Sequence, residues 1–484
     1  MIERCERHEP GPESLLDRLG GGAGRDRAIH AGIPRWPDRN DAGTHPVPHP
    51  PWQHRCSGRG AGMGNGARQD DSARGTATMA APPCVSTDAV ARRAVARDWG
   101  GQVGVVPAFV ARPRTEAEAQ EAVNWAVEHD LPWVPRGQGH SCGGRAQSEG
   151  VVVDLSGLDA VHDVGPDFVT VGAGMTWSQV LDVAAEHGLA PPVITDHPHL
   201  SVGGTLSLGG VGGTSYRHGA QADSVVRMLV LTPGGRVVRC GPRLRSDLFT
   251  SVLGGSGTAG LILRATLRLV PAPAVVRRVR LTVGGPRALV EAQRELLGDE
   301  KPDHMQGLVQ VVDGGWRHRL DLAEFVDEAA GPSWVSGGRP LPAGLASRVE
   351  VAERSRHSHR EFVHRGAADE ARLRETGDWD APHPWAAVFL PDAHAEDAVA
   401  DILDGLTPRL LGEAGLVLVY PLRSIMLRAG RPALPQGAVV WLCALLRSAP
   451  QGDPAAVSDM EADNERVHRI TAGVGGTRYR IGAH

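Results

Sequence analysis

Two short segments carry residue types that can do chemistry beside a bound ligand. The first is Arg136-Gly137-Gln138-Gly139-His140-Ser141-Cys142-Gly143-Gly144, an imidazole set in a glycine-rich loop. The second runs from Ile194-Thr195-Asp196-His197-Pro198-His199 into a glycine-rich stretch over Ser201–Thr214. Successive backbone N–H groups without side chains in the way form a concavity that can hold a pyrophosphate or the edge of a flavin ring. His140 is either a solvated loop residue or a nucleophile or covalent cofactor anchor brought close to a ligand by its glycine neighbours. Asp196 is either a turn former or a general base reaching the ligand that the following segment holds. Each segment alone reads as an ordinary loop. Two of them, each after a strand–helix unit, point to one extended cofactor.

Composition removes several rival chemistries. Of the 51 basic residues only Lys301 is a lysine, and it sits in Asp299-Glu300-Lys301-Pro302. A phosphate-cradling GxxxxGK[ST] loop is therefore excluded, as is a Schiff-base lysine other than Lys301. A formal charge of −5 offers no global basic field for nucleic acid or an anionic membrane. The six cysteines form no CxxC pair, and His197, His199 and His218, or His357 and His359, have no carboxylate or thiolate at ligand spacing. No metal site or disulfide framework is expected. No apolar run suits a secretory signal or a membrane span, which places the protein in a reducing cytoplasmic setting. Oligomeric state is not legible.

The elements that must position these residues alternate between α and β from about residue 104. Val105–Val110 is apolar; Thr115 and Glu118 then form a capping box ahead of a helix with Ala119, Ala122, Val123, Ala126 and Val127 on one face. Trp133–Pro135, Val151–Leu155 and Phe168–Val171 read as strands, and Thr176 to His187 as a helix with Gln179 at the capping-box position and Gly188 as its stop. Val225–Leu231 and Arg236–Arg239 flank Pro233-Gly234-Gly235 as a hairpin. Gly255-Ser256-Gly257-Thr258-Ala259-Gly260 satisfies GxGxxG, but a helix precedes it and a strand, Leu261–Val270, follows. A dinucleotide fingerprint needs the reverse order, so no Rossmann site is expected there. Residues 280–460 are mixed and charged, with a helix over Asp397–Leu406. Residues 1–78 hold 21 Gly and Pro and show no periodicity. Over 1–94 they read as a disordered leader or as sequence ahead of a start at Met79.

Together these residues resemble the cytokinin dehydrogenases, members of the vanillyl-alcohol-oxidase-like, PCMH-type flavoproteins. The match is carried by Arg136–Ser141, Thr195-Asp196, Leu200–Ser207, Tyr216-Arg217-His218-Gly219, Asp247-Leu248-Phe249, Val252–Gly255, Leu261-Ile262 and Val270–Pro273. It continues through His383-Pro384-Trp385, Phe389–Asp392 and Gly476–Tyr479. The resemblance implies an α+β fold: a two-lobed FAD-binding domain over 95–273, built of two α/β subdomains, an α+β substrate (cap) domain over 274–460, and a return to the FAD domain over 461–484. It implies FAD bound covalently through His140 and held by Arg136, Gly137, Gly139, Ser141, Asp196, Ser201, Ser207, Val211, Ile262 and Tyr479. Asp196 is then the residue that hydrogen-bonds the substrate's secondary amine and takes its proton while hydride passes to flavin N5. The imine hydrolyses to an adenine and an aldehyde, and a quinone or O2 is the electron acceptor.

Three departures from the family pattern carry expectations of their own. Gln306 stands where plant members usually carry a glutamate that contacts the adenine ring, which removes a charge while keeping a donor and an acceptor. Arg145 stands where a cofactor-contacting glutamine is common. The sequence stops at Gly482-Ala483-His484, whereas the family continues into a segment that returns to FAD, so a truncated end is expected to leave flavin contacts unfilled. Two alternatives stay open: a same-fold FAD oxidase of an alcohol or sugar, and a truncated flavin-binding protein with little activity.

Overall fold

The triple-valine stretch Val151–Asp154 is apolar on both faces and takes the middle of a four-stranded sheet. It lies parallel to Phe109–Ala111 on one side and Trp133–Arg136 on the other, with Val85–Ser86 beyond Phe109–Ala111. The computed structural model describes residues 81–298, 302–429 and 434–479. The expectations for 1–78 and for Gly482-Ala483-His484 lie outside those residues. Order does reach into the stretch assigned to a leader. Val85 pairs with Ala111, and Asp88 accepts from the Ala91 N–H to start helix Ala89–Ala94, so residues 85–94 are structured. These residues follow the Gly/Pro-rich stretch and contain neither residue type, so strand pairing and a helix cap meet no compositional obstacle there.

Helix Glu116–Glu128 buries Ala119, Ala122, Val123 and Ala126 of the expected stripe against Val151 and Val153, while Val127, expected on the same face, is exposed. Its capping box forms only by half: Thr115 accepts from the Glu118 N–H, but the Glu118 carboxylate accepts from the N–H of Arg114. The box at Thr176 and Gln179 closes fully and starts helix Trp177–Ala185. A second, antiparallel sheet has the order Val161–Val164, Phe168–Gly172, Leu261–Arg268, Val225–Leu231, Val237–Cys240, its last pair being the expected hairpin. Helix Ser246–Val252, the glycine segment and then strand Leu261–Arg268 follow in the order that excludes a dinucleotide fingerprint.

The second lobe is an eight-stranded antiparallel sheet. From edge to edge it runs Val349–His357, Val275–Val283, Gly315–Val326, His304–Val312, Leu416–Arg423, Val439–Leu446, Ala386–Pro391 and Thr477–Arg478. Its central strands are continuous apolar runs because both faces are covered. Trp441, Cys443, Leu445, Val417 and Val419 face helices Pro286–Leu296, Ala395–Asp404 and Pro454–Gly473. The alternate residues Leu442, Ala444, Leu418, Tyr420 and Phe389 share a core with Val202, Leu206, Val230 and Ile262 of the first lobe. The fold is α+β with two lobes, and the seam between them is the place where the two glycine segments meet the sheet.

Candidate active site

The first glycine loop is clamped by a neighbouring turn. Asp98, almost fully buried, accepts from Ser141 Oγ at 3.1 Å and from the Gly144 N–H at 2.8 Å, while the Trp99 and Gly100 N–H groups donate to the Gly139 and Ser141 carbonyls at 2.8 Å. Burial pushes the Asp98 carboxyl up, and these hydrogen bonds oppose it. Gly139 has φ +70°, and a Cβ there would lie 2.0 Å from the Arg136 guanidinium. A Cβ on Gly137 would lie 2.0 Å from Ser201 Oγ. Only glycine lets this loop touch both Arg136 and the second segment.

His140 is held by rings. Trp99 stacks on one face at 4.1 Å and His197 on the other at 4.7 Å, and His383 stacks on the far side of Trp99 at 3.7 Å. Trp379 tilts against the same group at 5.6 Å from His140. Burial, then the neighbouring His197, His383 and Arg374, hold the His140 pKa well below the usual imidazole range. The ring is neutral at pH 7, as a nucleophile must be.

The second glycine segment is not loop throughout. Ser201 accepts from the Gly204 N–H at 3.3 Å and caps the helical turn Val202–Leu206. Ser207 Oγ donates to the Gly203 carbonyl at 2.7 Å, and its own carbonyl accepts from the Ser256 N–H at 2.7 Å. The GxGxxG segment, set aside as a dinucleotide site, thus joins the cradle as a third glycine-rich wall. Val211 packs against the inter-lobe core. Tyr479, almost fully buried, meets the Gly210 backbone through its hydroxyl and packs on Phe389 at 4.9 Å. The Ile262 side chain is buried in that core beside a break in the strand register, so contact with a ligand there falls to the backbone.

Asp196 and Gln306 come together although 110 residues separate them. Strand alternation puts Met305 and Val309 on the helix-covered face of the sheet and Gln306 on the other. The register pairing Gly307 with Val419 sets Gln306 opposite Tyr420, whose phenol is pushed well above its usual range by burial and by the nearby Asp196. Gln306 Nε2 donates to Asp196 Oδ1 at 3.1 Å and Oδ2 at 2.9 Å. Arg365 Nη2 donates to Asp196 Oδ1 and, at 3.2 Å, to Gln306 Oε1. The Asp196 side chain keeps 39% of its surface exposed. That surface opens on a cavity of about 160 Å³ lined by His197, His199, His364, Leu373, Glu370 and Trp379 among others. Glu370 sits 3.3 Å from His197 Nδ1. Among the described residues no group of three or more His, Cys, Asp or Glu side chains is arranged to hold a metal.

The residues around the glycine segments fit a flavin dinucleotide. Arg136 Nη1 and Ser256 Oγ are buried without hydrogen-bond partners, a donor and a hydroxyl waiting at a cradle of bare backbone. Residues that no sequence motif flags are Trp99, Arg365 and Tyr420. Trp99 adjoins Gly100-Gly101, its only signal, and Ser256 lies within the GxGxxG segment discounted as a dinucleotide site.

Comparison with known proteins agrees with this geometry. An FAD binding domain model matches residues 107–241, which include His140 and Asp196. A model described as cytokinin dehydrogenase 1, FAD and cytokinin binding, matches residues 345–479, which include Arg365, Tyr420 and Tyr479. An oxidoreductase, ORF5 in the fasciation locus of Rhodococcoides fascians, is 34% identical over 403 residues, covering 82% of this protein and 89% of that one. Cytokinin dehydrogenase 10 of Oryza sativa subsp. japonica is 32% identical over 438 residues, 81% of this protein and 80% of that one. The solved structure of 6-hydroxy-D-nicotine oxidase from Arthrobacter nicotinovorans superposes with a TM-score of 0.62 at 20% identity, covering 84% of this protein and 91% of that one. The fold is that of the PCMH-type FAD enzymes, and the protein is an FAD-dependent oxidoreductase. It belongs to the cytokinin dehydrogenase family. Among the described residues no helix is long and apolar enough to cross a membrane.

Proposed function

We propose that the enzyme oxidises the C–N bond between N6 and its substituent in cytokinin-like N6-substituted adenines, with FAD linked covalently through His140. The observation that carries this reading is the half-exposed Asp196 carboxylate facing the cavity, beside the ring-stacked His140. FAD, when bound, supplies the two-electron chemistry by accepting hydride from the substituent carbon next to the amine nitrogen. Asp196 accepts the N–H of that amine and takes its proton as the carbon loses hydride, so the nitrogen lone pair forms the new C=N bond. Water then adds to the imine, and the C–N bond breaks to give an adenine and an aldehyde. A quinone or O2 takes the electrons onward. His140, neutral and held by the rings of Trp99 and His197, is the residue that would carry the covalent link to FAD. Arg136, Gly137, Gly139, Ser141, Ser201, Ser207, Val211, Ile262 and Tyr479 line the proposed cofactor cradle, and Leu373 and Trp379 offer the apolar surface for the N6 substituent.

The test is anaerobic mixing of the flavin-loaded protein with N6-isopentenyladenine. Bleaching of the oxidised flavin band, at about 450 nm, is the expected result. Bleaching by an alcohol or sugar, with none by the amine, would remove the substrate assignment and leave the fold and cofactor standing.

A further inference from the structure

Arg365 belongs to no sequence motif, yet it touches both groups of the proposed reaction. Its Nη2 donates to Asp196 Oδ1 and to Gln306 Oε1, while Gln306 Nε2 donates to both Asp196 oxygens. This closed ring admits one orientation of the amide. Flipped, Gln306 would turn its NH2 toward the guanidinium and its oxygen toward the carboxylate, a mismatch at each end. A glutamate at 306 would still accept from Arg365 but would set a second carboxylate against Asp196, which two ionised acids resist. The guanidinium is itself held from behind. It lies over the Phe362 ring at 4.8 Å, and its Nη1 donates to the Phe362 carbonyl at 3.3 Å. The helix that carries Phe362, His359–Val363, starts on a full capping box at Ser358 and Glu361. His364 next to it bonds Ser178 Oγ at 2.9 Å, tying the segment to the first lobe.

We propose that Arg365 is the positioning residue of this site, fixing the Gln306 amide and with it the acceptor geometry of Asp196. Each carboxylate oxygen has two lone pairs. Oδ1 directs both at Arg365 and Gln306, and Oδ2 directs one at Gln306, which leaves one acceptor position on Oδ2. One position matches an amine that brings one N–H, and a tertiary amine has no N–H to place there. This rests on the reading of Asp196 as the base, and it assigns the glutamine at 306 a bridging role between Arg365 and Asp196.

The experiment uses holoenzyme labelled with 15N-glutamine, the Gln306 side-chain signals being assigned by their loss in Gln306→Glu. In the unmodified enzyme those two N–H signals are expected to be sharp and slow to exchange with water. In Arg365→Gln they exchange at least about tenfold faster, and in Arg365→Lys they are partly restored, because one donor replaces the guanidinium fork. Anaerobic reduction by N6-isopentenyladenine is expected to slow about 10- to 100-fold in Arg365→Gln, with substrate affinity changed by less than about threefold. Should Arg365→Gln not fold, Arg365→Met, which can still cover Phe362, takes its place. Unchanged Gln306 signals in either variant overturn the proposal whatever the substrate is. Altered signals with an unaltered reduction rate overturn it as well. Altered signals in an enzyme that the amine never reduces leave Arg365 in its role and reject the substrate reading instead.

Discussion

His140 and Asp196 are near neighbours through His197, yet the protein holds them by opposite means. His140 sits in a stack of rings, between Trp99 at 4.1 Å and His197 at 4.7 Å, where burial keeps it uncharged. Asp196 sits in charge-assisted hydrogen bonds from Arg365 and Gln306 and keeps an exposed face toward the cavity. The difference fits the roles proposed for the two groups. A ring that attacks a carbon as a neutral nucleophile needs orientation and a dry setting, which stacking supplies without adding charge. A carboxylate proposed to receive a proton needs a fixed orientation and an open face toward its substrate, and the Arg365 and Gln306 hydrogen bonds supply the first while the exposed surface supplies the second.

The largest effect is expected where that contrast is removed outright. His140→Ala is predicted to abolish covalent linkage: acid-precipitated protein should be colourless while the supernatant carries the flavin. Flavin that stays with the precipitate would place the anchor elsewhere. Next comes Asp196→Asn, which keeps shape but removes the proton acceptor. Anaerobic flavin reduction is predicted to slow about 10²- to 10⁴-fold while covalent flavin stays at the level of the unmodified enzyme. A rate within about twofold would dismiss Asp196 as the base. Trp99→Leu strips one face of the stack without changing charge. Covalent incorporation of added FAD into freshly made apoprotein is predicted to slow about tenfold, and an unchanged time course would show that stacking does not orient His140.

The smallest effect concerns acid. Burial lowers His197 and His359 to about 4 and His304 to about 3, the Arg365 charge adding to the effect at His304. Their unfolded-state pKa is near 6.5, so below that value the unfolded chain binds protons that the folded one refuses. Stability is therefore full above about pH 6.5 and falls as pH drops toward about 4 and 3. Urea midpoints measured between about pH 7.5 and 4.5 should decline steadily, and His304→Phe should shallow the decline. A flat profile would mean these imidazoles are not buried as described.

Parts of this were legible in the residues alone. Thr176 and Gln179 announce a helix start, and the box closes as expected, because both partners lie within one turn and need nothing from elsewhere. The same pattern at Thr115 and Glu118 is diverted, since Arg114 offers its N–H to the same carboxylate. Val151–Asp154 reads as a buried strand because an apolar run of that length has no other place to go. Ser201–Thr214 reads as loop, and Ser201 turns its first third into helix by capping a bare N–H, a local bond that glycine composition hides. Arg365 is invisible in sequence: one arginine among fifty, with no spacing to either partner.

What the sequence determined by itself is the chemistry on offer and the local elements: a histidine in a glycine loop, an aspartate ahead of a second one, the strands and helices that hold them, and the absence of a P-loop lysine. These follow from bonds made within a few residues. What only the tertiary structure decided is which groups act together. Gln306 meets Asp196 because the sheet register sets it opposite Tyr420 on the face turned to the first lobe, and Arg365 joins them because a capped helix from a distant segment is pinned beneath it. Those contacts depend on strand pairing and core packing between segments far apart in sequence, and no periodicity along the polypeptide records them.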